Sequence, residues 1–425
     1  MDTIRVINYI LAVMFFICYA YQAFYMLVPF IIKPKPHKEA KLHRFAVLIS
    51  ARNEQMVIGN LIDSINRQTY PGELVTTFVV ADNCTDETAR IAREHGAVVV
   101  ERFNQDEVGK GYALNFLLHR IEAMYPDKPF DAYMVFDADN VLEPDYIEQM
   151  NRTFSDGYEV ITSYRNAKNY GDNWISAGYG LWFLREASQL NHPRFLLNTS
   201  CAVSGTGFLF SRRILEKCGG WHFHLLTEDI EFTIHNVVND EKIGYCKDAV
   251  YYDEQPVKFS TSWHQRMRWA RGYLQVFGKY GGKLLKGVFR KGGFACFDMT
   301  MNIMPAIILT AFSIIINGVA AAVSILNGHG LIPALLPALQ TLGNMYLLFA
   351  VLGGITTIAQ WRKIDTAPWK RVAYIFTFPL FMITYIPISF VAIFKRVEWK
   401  HIEHNVSVSI SDLQQTKVSK DTTKV

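Results

Sequence analysis

Three observations predict an α/β domain inserted between membrane helices. Strand-like and helix-like runs alternate from Arg44 to about Leu226. Long apolar segments lie towards both ends. Half of the 425 residues are apolar while only 19% are charged, a balance that points to membrane segments in addition to a buried core. The formal net charge of +4 is too small, and basic stripes interleaved with aromatics too absent, for a nucleic-acid partner. Six scattered cysteines (Cys18, Cys84, Cys201, Cys218, Cys246, Cys296) form no C-x-x-C pair. That pattern fits reduced thiols in a cytosolic domain better than zinc ribbons or a disulfide framework.

Residues 1–33 hold the first membrane helix. The apolar run from Val6 to Ile32 exceeds the ~20 residues needed to span a bilayer, and the basic residues Lys33, Lys35, Lys38, Lys41 and Arg44 follow it. The positive-inside rule then places the N-terminus outside and the next domain, 34–270, in the cytosol. Within that domain 45–51, 74–82, 97–103 and 131–139 read as strands, and 60–70, 87–96 and 112–125 as helices. Near-continuous apolar strands alternating with helices predict a parallel sheet covered on both faces. Such sheets bind ligands at the carboxyl ends of their strands, where Ser50 to Glu54, Asp82, Asp137 and Asp139 fall. Residues 271–300 are basic and amphipathic, as an interfacial helix would be. Residues 301–404 contain apolar segments at 303–326, 335–359 and 372–394. The last holds Pro379 and Pro387, and basic residues flank it on both sides (Lys370 and Arg371, Lys395 and Arg396). It is expected either to cross fully, putting the C-terminus outside, or, as the basic residues beyond it favour, to be bent or re-entrant and return the C-terminus to the cytosol. The polar tail 405–425 is expected to be disordered.

Candidate chemistry follows the strand ends. Asp137 and Asp139, two apart at a strand end, would face one side and suit Mg²⁺ or Mn²⁺ with a diphosphate; turn residues are the alternative. Asp82 could bond a base or ribose, or simply serve a turn or cap. Glu54 could be a first-turn helix acid. Lys110, between glycines, could reach a phosphate or be solvated. Thr227 could N-cap a helix beginning at Glu228 and Asp229, or Asp229 could be a general base. The spacing of Gln265, Arg268 and Trp269 puts them on one helical face. There Arg268 suits a diphosphate and Trp269 a sugar ring, unless the helix is only an interfacial anchor.

Taken in order, VVADN, MVFDADN, LLTED and Gln265-x-x-Arg268-Trp269 resemble the motifs of membrane-integrated family 2 glycosyltransferases such as cellulose, hyaluronan, chitin and poly-N-acetylglucosamine synthases. The resemblance covers about Arg44 to Trp269 and the flanking membrane segments. It implies a GT-A, Rossmann-like nucleotide-sugar-binding fold in a multi-pass protein of the cell membrane, a nucleotide-sugar donor (UDP-linked), and Mg²⁺ or Mn²⁺. It also implies inverting transfer to a growing polysaccharide, with single transfer to a lipid acceptor as the alternative. By the match, Asp82 contacts the nucleoside, and Asp137 and Asp139 the diphosphate and cation. Asp229, beside Glu228, is the base. Gln265, Arg268 and Trp269 hold diphosphate and acceptor. Ser204-Gly205-Thr206-Gly207 resembles the acceptor-side loop, and Glu54 and Lys110 match donor-site positions. Two features depart from the processive synthases: no F-x-V-T-x-K gating loop is visible, and so few apolar segments would need a homo-oligomer or an export partner to secrete a polymer.

Overall fold

A computed structural model describes residues 2–290, 292–328, 331–399, 402, 404 and 406–414. The chain divides into two compact units: an α/β unit of Pro29–Asn169, Glu186–Gln255 and Trp399–Val425, and a helical unit of Met1–Val28, Tyr170–Arg185 and Pro256–Glu398.

The α/β unit is built on one eight-stranded sheet. Its strands are β1 Phe45–Ala51, β2 Val75–Asp82, β3 Val98–Arg102, β4 Ala132–Asp137, β5 Val141–Leu142, β6 Val160–Ala167, β7 Phe208–Ser211 and β8 Ile243–Asp253, in the order β3-β2-β1-β4-β7-β6-β8-β5. The four strands expected from sequence all form, and the first half of the sheet is parallel as expected. The second half is mixed. β7 runs antiparallel to both β4 and β6, and β5 antiparallel to β8. Both are short, four and two residues long, too short for a periodicity argument to detect. β1 is buried along nearly its whole length, because the sheet is covered on both faces. The helix Lys110–Met124 contributes to that cover with Ala113, Leu114, Leu117, Leu118 and Ile121, the 3-and-4 spacing of a core-facing stripe. Each fully buried leucine in it is worth roughly 2 kcal/mol.

Parallel pairing aligns the strand ends. Ser50 pairs with both Val80 and Asp137, and Asp82 with Arg102. On the far side Ala167 of β6 pairs with Asp253 of β8. The described part of the tail also belongs to this unit. Ile410 and Leu413 are buried, the Val406 amide donates to the Glu254 carboxylate, Asn60 bonds the Ser407 hydroxyl, and Arg67 bonds Ser411. Sequence composition did not suggest this order. Residues 405 and 415–425 of the expected disordered tail lie outside the described residues.

The helical unit contains Phe259–Val288, Phe294–Ile303, Pro305–Leu326, Leu331–Ala359, Pro368–Ile383 and Tyr385–Phe394, with Asp2–Tyr19, most of Tyr21–Ile31, and Trp174–Arg185. Trp174–Arg185 comes from the middle of the expected α/β stretch, and 256–270 likewise falls here. Among the described residues, four helical segments are long and apolar enough to cross a membrane: Val6–Ile31, Pro305–Leu326, Leu335–Ala359 and Pro368–Phe394. Asn8 and Asn317 exchange amide hydrogen bonds at 2.9 Å between the first and second of these. Tyr21 and Tyr25 hydroxyls each donate to the buried Asp298 carboxylate at 2.7 Å. The last segment is broken at Thr384. There buried Arg266 donates to the Phe381 carbonyl (3.0 Å) and to the Thr384 hydroxyl (2.7 Å), with its guanidinium over the Phe381 and Tyr385 rings. The Thr384 hydroxyl in turn donates to the same Phe381 carbonyl at 2.6 Å.

Gly111 illustrates how tightly the loops over the α/β unit close. A β-carbon there would collide with the backbone carbonyl of Phe223. Gly111→Ala should therefore destabilise the protein by about 1–3 kcal/mol, read as a lowered melting temperature of the full-length protein in detergent. Gly72→Ala, where a β-carbon meets open space, should leave it unchanged.

Candidate active site

The site centres on the segment Cys201–Thr206, which is bonded residue by residue to other elements of the α/β unit. Asn191 bonds both the amide and the carbonyl of Ala202 (3.0 and 3.1 Å) and accepts from the Cys201 thiol through its backbone carbonyl. The Thr233 hydroxyl accepts from the Val203 amide (3.0 Å). Arg165 donates to the Ser204 carbonyl, and the Ser204 hydroxyl to Glu186 (3.2 Å). The Gly205 amide donates to the Asp229 carboxylate at 2.6 Å, while the Gly205 carbonyl accepts from the Lys110 ammonium at 2.8 Å. Gly205 has φ +74°, a left-handed conformation that glycine adopts without strain. The Thr206 hydroxyl accepts from the Asp137 amide (2.9 Å) and donates to Asn140.

Of the predicted residues, Lys110, Asp137, Gly205, Thr206 and Asp229 are thus brought together. Lys110 also bonds the Asp137 carboxylate, which is 40% exposed. Asp139 differs from expectation. The strand ends at Asp137, so the alternation that would put both carboxylates on one side stops there. Asp139 is instead buried (4% exposed), accepting from the Glu254 amide (2.9 Å) and the Asn140 side chain (3.1 Å). Asp82 makes a buried ion pair with Arg102 at 2.7 Å. Glu54 accepts from His404 through both oxygens (3.0 and 3.1 Å). Glu228 and Asp229 open the helix Glu228–Val238, whose first turn also holds Glu231; the macrodipole favours acids there. The expected Thr227 cap is not made: its hydroxyl is buried without a hydrogen-bond partner. Gln265, Arg268 and Trp269 lie on Phe259–Val288 in the helical unit, where the Trp269 ring meets Tyr179 and Phe183 edge-on at 5.7 and 6.3 Å.

Sequence reading missed Arg165, Glu186, Asp253 and His404. Asp253 had a readable signal, since it ends an apolar strand as Asp82 and Asp137 do. Arg165 bonds it (Nε to carboxylate 2.8 Å). Burial raises the Asp253 carboxyl, Arg165 opposes this, and Asp139 adds to it, giving about 6. Burial likewise raises Glu54 to about 7 despite the His404 bond. For His404, burial lowers the pKa but Asp139, Glu54 and Glu254 prevail, raising it to about 10.

Among the described residues, no group of three or more His, Cys, Asp or Glu side chains converges to hold a metal ion. A hard cation of the kind that binds one or two carboxylates and takes its remaining ligands from phosphates and water could reach Asp137, whose carboxylate is 40% exposed; Asp139 already accepts a hydrogen bond at each oxygen.

A family model described as "Glycosyltransferase like family 2" matches residues 43–272, more than half of the chain. The chain is 27% identical over 240 residues to a beta-monoglucosyldiacylglycerol synthase of a Synechocystis species, covering 55% of this chain and 48% of that protein. It is 24% identical over 257 residues to a poly-beta-1,6-N-acetyl-D-glucosamine synthase of Staphylococcus epidermidis, covering 58% and 60%. The alignments thus span about half to three-fifths of these relatives. Among solved structures, a mannosyltransferase from Pyrobaculum calidifontis in complex with GDP-Man and Mn2+ shares the fold, with a TM-score of 0.58 at 17% identity over 89% of this chain and 98% of that one.

Glu54 and His404 both bind a proton more tightly in the folded protein than in the unfolded one. Their contributions to stability are therefore present at low pH and lost as pH rises, Glu54's from its usual 4.5 to about 7 and His404's from its usual 6.5 to about 10. Protection of 406–414 from subtilisin cleavage should accordingly fall as pH is raised from about 7 to about 10, and His404→Leu should reduce it already at neutral pH.

Proposed function

The chain belongs to the glycosyltransferase like family 2, and on that premise we propose that it is a membrane enzyme transferring a sugar from a UDP-sugar to a hydroxyl of a membrane-lipid acceptor, with inversion. The observation that carries this reading is the single residue Gly205, whose amide bonds Asp229 and whose carbonyl bonds Lys110, itself paired with Asp137. A diphosphate-binding cation and a candidate base are thereby held in one fixed frame, as a displacement between donor and acceptor requires.

In this reading Asp229, with one oxygen fixed by the Gly205 amide, takes the proton of the acceptor hydroxyl. The hydroxyl attacks the anomeric carbon from the face opposite the nucleotide, and the bond to the diphosphate breaks. Lys110 stabilises the charge growing on the leaving group. Asp137 and Asp139 would hold a divalent cation, Mg²⁺ or Mn²⁺, whose chemistry when bound is to neutralise diphosphate charge. Asp82 and Glu54 serve the nucleoside end, and Gln265, Arg268 and Trp269 keep the diphosphate and acceptor roles that their motif implies. The lipid acceptor is supported by the four membrane-capable segments and by the glucolipid synthase relative. Extension of a polysaccharide is the second reading, supported by the polysaccharide synthase relative. The cytosol is the expected side for the α/β unit.

Product analysis separates the two readings. Membranes containing the full-length protein, supplied with radiolabelled UDP-sugars, should yield a single-sugar glycolipid, whereas a size ladder would establish the polymer. Asp229→Asn should lower turnover by about 10²–10⁴-fold while leaving UDP binding near its original strength. Unchanged turnover would remove Asp229 from the role of base.

A further inference from the structure

We propose that Glu186 is a positioning residue for Asp229: across the Ser204–Gly205 peptide it supplies a second negative charge that strengthens the base, an inference that rests on the reading of Asp229 as the base. Glu186 opens a π-helical turn, Glu186–Asn191, directly after Trp174–Arg185, a helix buried at nearly all of its positions. π-turns are rare and concentrate at functional sites. This one places two polar side chains along the same segment. Its last residue, Asn191, grips Ala202, and its first, Glu186, accepts from the Ser204 hydroxyl. The next residue, Gly205, donates to Asp229.

The charged groups facing Glu186 are Arg165 of β6, Arg194 of the helix His192–Leu196, and Asp229 of Glu228–Val238. Arg165 already has a carboxylate partner in Asp253, so neutralising Arg165 does not by itself require Glu186. A neutral acceptor would also satisfy the Ser204 hydroxyl. The carboxylate adds charge, which acts on Arg165, on buried Arg194 and on a second carboxylate, Asp229. Like charges at short range raise each other's proton affinity, and a base with higher proton affinity takes a proton from a sugar or lipid hydroxyl more readily. Burial raises the proton affinity of Glu186 itself; Arg165, Arg194 and the Ser204 bond lower it, and Asp229 raises it again. Burial leads this balance and holds the Glu186 carboxyl above its usual range, while the two arginines limit the rise.

The test is the pH profile of the full-length protein in micelles containing diacylglycerol, with UDP release measured from UDP-glucose and UDP-N-acetylglucosamine. Removing the charge with Glu186→Gln lowers the proton affinity of Asp229. The acid limb of kcat should then move about one pH unit lower, and the plateau should fall roughly tenfold. KM for the donor should change by less than about twofold, because uniform donor binding is untouched. Glu186→Asp, which keeps the charge, should keep the acid limb in place. An acid limb unmoved in Glu186→Gln would overturn the proposal whatever the fall in rate, as would a rise in donor KM that accounts for the whole loss. Turnover retained in Asp229→Asn, or absent with both donors in the unsubstituted protein, would instead overturn the reading on which it rests.

Discussion

One residue organises the site: Gly205, whose amide donates to Asp229 and whose carbonyl accepts from Lys110. A hydrogen bond to a charged partner is worth about twice a neutral one, and here two such bonds point from one glycine to groups of opposite sign. Lys110 extends the link to Asp137, and Asp137 returns it through its amide to Thr206. The result is a closed circuit joining β4, the loop before β7, and the starts of two helices. Removing any member leaves a charged or buried polar group without its partner, which costs more than the lost bond.

The sheet supplies the platform for that circuit. Parallel pairing puts the ends of β1, β2 and β4 at one level, and this is why a strand-end carboxylate could be recognised from sequence. Antiparallel β7 then brings Gly207 against β4, where its amide bonds the Val135 carbonyl at 2.9 Å. That places Ser204 to Thr206 beside Asp137. Buried Asp139 just past β4, Asp253 at the end of β8 and Glu54 add negative charge that Arg165 and His404 offset.

Much of this was legible in the sequence because it was local. The first four strands, the helix following Lys110 and the acids after Thr227 each carry their own periodicity or end signal. What was not legible depends on distant pairings. β5 and β7 are too short for periodicity and exist through their partners. Asp139 left the strand alternation because the chain turns at Asp137. Trp174–Arg185 falls inside the expected 34–270 domain, yet belongs to the helical unit. The tail residues 406–414 have the composition of a disordered segment, but Ile410 and Leu413 find an apolar surface that no local pattern announces.

The central claim is a single displacement with Asp229 as base, and the anomeric configuration of the product tests it most directly. With an α-linked UDP-sugar as donor, the proton coupling at the anomeric carbon of the isolated product should report a β-linkage. An α-linkage would require a second displacement or a front-face reaction, and would contradict the assignment of Asp229.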